Sequence, residues 1–406
     1  MAPRLLISLR RKRMKIGLYL QDSGTRFGGA EFWLACLAEA WSRHHSVVAL
    51  LHKSVALDDL ARFSGQRLSR VMVRRLSGTP IFWPDTRCGL EVTRASAEFD
   101  LFVAITHFVP PKCLARHGCL IVLYPMECKS DHWPWSEKTP HGARAAVRAW
   151  YYERLWQQRF GSYNTIVALS EFARRGVMDR WQVQAEVNYP PVDLVPPARK
   201  RQTIVSVGRF AGNGVSKRQL EMVEAFLKHV HSEVPSWRFD CIGALGSEEY
   251  DRQYFRRLQI ALRATAEDAV HLRVNLARVD VRQALGEASI LWHAAGLGQD
   301  ETVSPELCEH FGLVVVDAMS AGCVPVVIGK GGLREIVEHG VSGFLCSTLD
   351  EVAASSIRLI NNPDLLDRMS AASRERARFF SKERSIARLE RLLGERGGLD
   401  LQPSGE

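Results

Sequence analysis

Twice along its length this chain runs through the same series, in which short β-rich runs alternate with longer stretches of helical spacing. In the first half, residues 15–20, 46–52, 99–105, 119–124 and 165–169 read as strands. The stripe Phe32, Cys36, Leu37 and Ala40 has helical spacing, which puts a helix after the first strand. Tyr189-Pro190-Pro191-Val192-Asp193 then interrupts the series, because two prolines fit neither a helix interior nor a central strand. The polar stretch 197–202 prolongs this connector, and a second series follows at 203–207, 237–243, 270–274, 290–293 and 324–328. Such alternation implies right-handed crossovers and parallel sheets. The expected architecture is therefore α/β, with two doubly wound Rossmann-like parallel-sheet domains facing a cleft.

The expected boundaries are a basic extension over 1–13, a first domain over 14–194 and a second domain over 195–380. A C-terminal helix over 381–396 packs back on the first domain in this reading, and 397–406 is a loose tail. At 406 residues the chain is too long for one ordinary core, which agrees with two domains. Its 46% hydrophobic and 24% charged residues argue against disorder.

Charge narrows the ligands. There are 54 Lys and Arg against 45 Asp and Glu, a net +9, which suits a phosphate-bearing ligand or an anionic membrane surface. No nucleic-acid motif is present, so nucleic acid is not an expected partner. Nine scattered cysteines include no Cys-x-x-Cys, and no Cys/His spacing suits zinc. Free thiols in a reducing cytoplasm are expected. No run approaches the ~18 apolar residues of a spanning helix. Arg4, Arg10, Arg11, Lys12, Arg13 and Lys15 make a basic N-terminus. Either it touches anionic lipid or translation starts at Met14, where the first strand pattern begins.

Three segments carry chemistry. After the first strand, Gly28-Gly29 follow Gly24, letting backbone approach a ligand and leaving helix-start amides for an anion. This is not the dinucleotide Gly-x-Gly-x-x-Gly, and such a turn alone is as often structural. Later, Gly208-Arg209 ends a strand, and Lys217 follows in a loop with Gly212 and Gly214. An Arg fork and a Lys point charge suit a diphosphate, although isolated cations are usually solvated surface. The strongest segment is 309–322. Glu309 and Asp317 lie eight residues apart around Phe311-Gly312, which opens a helix. Free amides there can meet phosphate or sugar oxygens, one acid can accept from sugar hydroxyls and the other can grip a ribose diol. The plainer alternative makes both acids cap and surface residues.

These segments resemble the retaining glycosyltransferases of family four, which have the GT-B architecture. The likeness runs from Met14 to Leu393. It rests on Gly28-Gly29-Ala30-Glu31, Ala168-Leu169-Ser170-Glu171-Phe172, 189–193, Val207-Gly208-Arg209 with Lys217, 309–322 and 331–343, in the family's order. Trp292-His293-Ala294 with Glu309-His310-Phe311-Gly312 is similar to the branch related to lipid-linked oligosaccharide mannosyltransferases.

The resemblance implies a retaining, metal-independent transfer of a hexose-type sugar from a nucleotide-diphosphate sugar to a saccharide or lipid-linked acceptor. The setting implied is polysaccharide, glycolipid or lipid-linked oligosaccharide synthesis, including cell-envelope polysaccharide. Arg209 and Lys217 would hold the diphosphate, Glu309 the transferred sugar, and Asp317 the ribose. Amides of His310, Phe311 and Gly312 would meet sugar hydroxyls, and those of Leu313 and Val314 the phosphate. The family's second acid is Glu, so Asp317 is one methylene short. His107, just past a strand, sits where relatives place a polar residue near the reacting sugar. Tyr124-Pro125 resembles an acceptor-side loop. The stretch 142–160 reads as a helix mixing Arg144, Arg148, Arg154 and Arg159 with Trp150, Tyr151 and Trp156, facing an acceptor or membrane, or simply amphipathic.

No cofactor and no metal is expected. No Asp-x-Asp occurs, Asp58 and Asp59 being adjacent. The expected location is cytoplasmic, with peripheral attachment at the inner membrane face as an alternative. Two rival readings are a GT-B nucleotide-sugar epimerase and an idle nucleotide-sugar-binding protein.

Overall fold

The computed structural model describes residues 13–21, 27–52, 55–77, 87–126, 143–212, 216–246, 248–263, 268–399 and 401. Two compact units divide it: Met1–Ile121 with Lys129–Thr165, and Val122–Cys128 with Ile166–Glu406. The basic N-terminus 1–12, Gly24 and Gly214 lie outside the described residues.

Seven strands make the first sheet: β1 Lys15–Leu20, β2 Ser46–His52, β3 Met72–Leu76, β4 Leu101–Thr106, β5 His117–Val122, β6 Thr165–Ala168 and β7 Glu186–Val187. Their order is β3-β2-β1-β4-β5-β6-β7. Six make the second: β8 Arg201–Val207, β9 Arg238–Gly243, β10 Val270–Val274, β11 Ala288–His293, β12 Val324–Ile328 and β13 Phe344–Cys346. Their order is β10-β9-β8-β11-β12-β13. The pairings described are parallel, as in β1 with β2 and β8 with β9. Helices cover both faces of such sheets, so central strands read as unbroken apolar runs, and all six residues of β4 are buried. The two doubly wound parallel sheets that the alternation predicts are present.

Three strands escape the sequence reading: β3, β7 and β13. All three are sheet edges. β3 carries Arg74 and Arg75, and the other two are only two and three residues long. An edge needs neither two apolar faces nor length, so the apolar-run signal fades there.

The strand order places the functional ground. In an open α/β sheet a ligand crevice forms beyond the carboxyl ends of the strands where the order reverses. In the first sheet that point lies between β1 and β4, and in the second between β8 and β11. β11 is fixed from behind. Trp292 is fully buried, its ring 5.5 Å from that of Phe239 and its Nε1–H donated to Ser356 Oγ at 2.7 Å.

The helix after Lys217 is α-helical at Gln219–Ala225 and continues as a π-helical turn, Phe226–His231. The last helix, Lys382–Gly397, rests on residues 186–193. Lys382 N–H donates to the Val192 carbonyl at 2.9 Å, and Ser385 Oγ to the Tyr189 carbonyl at 2.6 Å. The eight described cysteines are buried thiols. Among the described residues no helix is long and apolar enough to cross a membrane.

Candidate functional site

The second unit gathers charge at its switch point. Gly208 follows β8, and Lys217 lies across it: a Cβ on Gly208 would sit 2.5 Å from Lys217 Cγ, so only glycine lets the lysine stem pass. Lys217 Nζ then reaches Glu309 Oε2 at 2.5 Å. The same oxygen lies 2.7 Å from Nε2 of His293, the last residue of β11. The Glu309 and Lys217 side chains keep only 15% and 20% of their exposure, and His293 keeps 1%. Burial alone would push the Glu309 carboxyl up. The Lys217 ammonium and the His293 N–H outweigh it and hold the carboxyl well below the usual range. His293 is held down, chiefly by burial and also by Lys217, with Glu309 opposing.

Glu309 stands just before a helix start. Gly312 has φ +111° and caps the helix Leu313–Ser320. A Cβ there would be strained and would meet Leu333 Cδ2 at 2.6 Å. The Val315 and Val316 amides both point to the Gly312 carbonyl. Those of Leu313 and Val314 donate to nothing among the described residues, as first-turn amides do. Gly332 N–H donates to the Glu309 carbonyl at 2.8 Å, which ties the Gly331-Gly332 turn to this segment.

The segment is braced from inside the same unit. The His310 ring stacks on Tyr124 at 4.2 Å and 10°, and its carbonyl accepts Ser170 Oγ–H at 2.7 Å. Arg180 pairs with Glu306 at 2.6 Å and donates to the Pro125 carbonyl. The Phe311 ring is core, packed on Tyr189 and Phe380, so only its backbone is available to a ligand.

Asp317 lies further along the helix. Burial lifts its carboxyl to about 6 against the nearby cations of Arg278 and Arg282, while Asp193 adds to the rise. Its Oδ1 is buried without a hydrogen-bond partner among the described residues. A buried oxygen with no donor is uncommon and suits a hydroxyl-bearing ligand. Arg209 is exposed, and its guanidinium forms no hydrogen bond or ion pair among the described residues.

The structure thus brings together Lys217, Glu309 and the amides before and in the helix Leu313–Ser320. Sequence reasoning gave no role to His293, nor to Arg278 and Arg282. The signal for His293 was available, since it ends an apolar strand as His107 follows one. Its contact with Glu309 is tertiary and left no local trace.

Gly28, Gly29 and His107 belong to the first unit. Gly28 precedes the helix Gly29–Ser42, and its N–H is already taken by Glu31 Oε2 at 2.8 Å. His107 follows β4 and is half-buried beside Phe108. Beneath it Thr106 Oγ1 lies 2.7 Å from Gln21 Oε1, and Gln21 Nε2 donates to the Val109 carbonyl.

The helix expected over 142–160 is Ala143–Phe160. Trp150 and Tyr151 are 59% and 53% exposed, and Arg154 lies over the Trp150 ring. Arg159 does not share that face: it is buried and donates to the Pro110 carbonyl. The side chains of Arg144 and Arg148 lie outside the described residues. Among the described residues no three metal-ligating side chains come together.

Residues 195–376 match the glycosyl transferases group 1 family. The chain is 26% identical over 215 residues to a GDP-Man:Man(3)GlcNAc(2)-PP-Dol alpha-1,2-mannosyltransferase of Dictyostelium discoideum, covering 48% of this chain and 40% of that one. It is 38% identical over 100 residues to a D-inositol 3-phosphate glycosyltransferase of Thermobispora bispora, covering 24% and 23%. These matches span less than half of either relative's own length. In fold it is similar to Anabaena Alr3699/HepE in complex with UDP, with TM-score 0.68 and 17% identity over 94% of this chain and 100% of that one. Sucrose-phosphate synthase of Thermosynechococcus elongatus gives TM-score 0.63 and 15% identity over 94% and 99%. At such identities the likeness to these structures speaks for the fold.

Proposed function

We propose that this chain, whose residues 195–376 match the glycosyl transferases group 1, moves a hexose-type sugar from a nucleotide-diphosphate sugar to a saccharide or lipid-linked acceptor. The observation that carries the reading is the Glu309 carboxylate, ionised and held by Lys217 and His293, directly before the unbonded amides of Leu313 and Val314. A sugar hydroxyl can donate to Glu309, a phosphate can take the amides, and Arg209 with Lys217 can balance its charge. Asp317, with its orphan oxygen, suits the ribose diol.

The proposed transfer retains configuration. The bond from the anomeric carbon to the diphosphate oxygen breaks while the acceptor oxygen bonds on the same face. The acceptor proton passes to the departing phosphate oxygen. No protein base is then required, and the site positions groups and stabilises charge. The cations of Arg209 and Lys217 serve where a metal serves elsewhere.

The D. discoideum relative's GDP-mannose makes that donor the first to try, and the UDP of the Anabaena complex makes UDP-sugars the second. A thermal-shift panel of GDP-, UDP- and ADP-sugars tests donor binding. A donor at a hundred times its Kd should stabilise by about 2.7 kcal/mol. Turnover of the best donor with an acceptor should persist in EDTA. No shift with any donor would end the reading, and a loss restored by magnesium would end the metal-independent form of it. Free sugar without acceptor would indicate an epimerase, and a shift without turnover an idle binding protein.

The exposed Trp150, Tyr151 and Arg154 support peripheral contact with an anionic membrane from the cytoplasmic side. Co-sedimentation with anionic vesicles at low salt, reversed at high salt, checks it.

A further inference from the structure

We infer that His293 is a positioning residue for Glu309: as a neutral imidazole it donates Nε2–H to Glu309 Oε2, fixing the carboxylate and leaving Oε1 to accept from the donor sugar. This rests on the proposed role of Glu309. Three observations converge on it. The imidazole is 1% exposed, yet Nδ1 has no partner among the described residues. Its one polar contact among the described residues is the 2.7 Å bond to Glu309. A histidine kept only for the core would be expected to satisfy both nitrogens or give way to an apolar residue. Second, β11 is immobilised by Trp292, held between aromatic rings and bonded to Ser356, so the imidazole is aimed rather than free to swing. Third, Lys217 sits on the same Oε2, and Oε1 accepts nothing among the described residues.

The two donors differ in what they can do next. Lys217 is also the cation placed to meet a diphosphate. If a donor draws Lys217 toward phosphate, the His293 N–H stays on Glu309, so the buried carboxylate is never left without a partner. The ring stays neutral because burial and the nearby ammonium both oppose a second positive charge. The charged or titratable groups facing Glu309 are Lys217, from the loop before Gln219–Ala225, and His293, from β11. Remove the imidazole N–H, and burial is opposed by Lys217 alone. The carboxyl then takes a proton at higher pH.

The test uses His293→Leu and His293→Gln in the full chain, with GDP-mannose and UDP-glucose as probes and GDP and UDP as controls. The glutamine amide reaches the place of Nε2, so it should restore much of what leucine removes. The leucine variant should lose about 10–100-fold in kcat, the usual scale for partners that orient a functional ligand. Its acid limb of kcat/KM should move toward neutral pH, while affinity for GDP or UDP holds. The glutamine variant should recover the limb. Nitrogen-15 histidine spectra, assigned by the signal lost on substitution, should show the neutral Nε2–H tautomer at pH 7. An unmoved acid limb in the leucine variant, a glutamine variant no better than leucine, or an Nδ1–H or doubly protonated ring would each overturn the proposal. If the wild type transfers no sugar, the function proposed above fails, and the tautomer still decides whether His293 donates to Glu309.

Discussion

The two switch points of this molecule share a topology and differ in chemistry. Between β8 and β11 a lysine, a histidine and a glutamate meet in one buried cluster, beside amides that bond to nothing among the described residues. Between β1 and β4 the strand ends bring neutral groups that satisfy each other, Gln21 with Thr106 and Val109, and at the helix start after β1 Glu31 takes the Gly28 amide. Unbonded amides and an orphan carboxylate oxygen carry a free-energy penalty that a ligand can relieve. A self-satisfied network gains little by binding an anion. Under the proposed function, the second unit is the seat of the charged nucleotide and the first a place of lighter contacts.

Glu309→Gln should break the contrast most severely. The amide keeps the size but loses the charge that Lys217 and His293 were arranged around. The expected loss in kcat/KM is about 10²–10³, or about 2–4 kcal/mol, with the far-ultraviolet spectrum unchanged. Near-normal turnover in a folded variant would remove Glu309 from the site. Arg209→Ala should come next. Its guanidinium is exposed and bonded to no described group, so little stability should be lost. Calorimetry should show GDP or UDP binding weakened by about 1.5–3 kcal/mol, the worth of a charge-assisted hydrogen bond. Unchanged binding would mean that the diphosphate lies elsewhere.

The sequence could be read for part of this and not for the rest. Glu309, Asp317 and the Phe311-Gly312 turn are neighbours in the chain, and their spacing alone suggests a ligand-facing helix start. Arg209 is legible as a cation after an apolar run. His293 is 16 residues from Glu309 and Lys217 is 92 away, so their meeting on one oxygen appears only when β8 and β11 lie side by side. The strands show the same limit. The strand patterns of β1, β2, β10 and β12 are readable to the residue. β3, with two arginines in five residues, is held by its pairing to β2 rather than by its own pattern. In the first unit Gly28-Gly29 reads as an anion seat, and what the sequence does not show is that Glu31, two residues on from Gly29, takes the Gly28 amide while those of Gly29 and Ala30 have no acceptor among the described residues.

Asp317→Asn sharpens the comparison through pH. The carboxyl, lifted to about 6 in the fold, protonates near 3.8 when free. Well below pH 3.8 it is neutral in both states and the substitution should change nothing. Above pH 6 the folded protein carries a half-buried anion that the unfolded chain solvates better, which costs on the order of 2 kcal/mol. Asn removes that penalty, so the variant should melt higher than the parent at pH 8, and the advantage should fade as pH falls from 6 to 4. Binding of a nucleotide-sugar should weaken at the same time. A variant less stable at pH 8 would show that Arg278 and Arg282 already pair with the carboxylate.

The smallest effect is expected at the other switch point, from Glu31→Gln. The Glu31 carboxylate accepts the Gly28 N–H and lies in the first turn of its helix, where negative charge is favoured. Glutamine keeps an acceptor oxygen but loses the charge, so about 0.5–1 kcal/mol of stability should go. That is a shift of about 1–2 °C for a chain of this size. Affinity for GDP or UDP should stay within twofold if the Gly28 amide belongs to the fold and not to the donor. The informative outcome is the opposite one. If the variant binds the nucleoside diphosphate several-fold more tightly, the carboxylate has been standing where a phosphate would go. The first switch point would then be a closed version of the second rather than a neutral one.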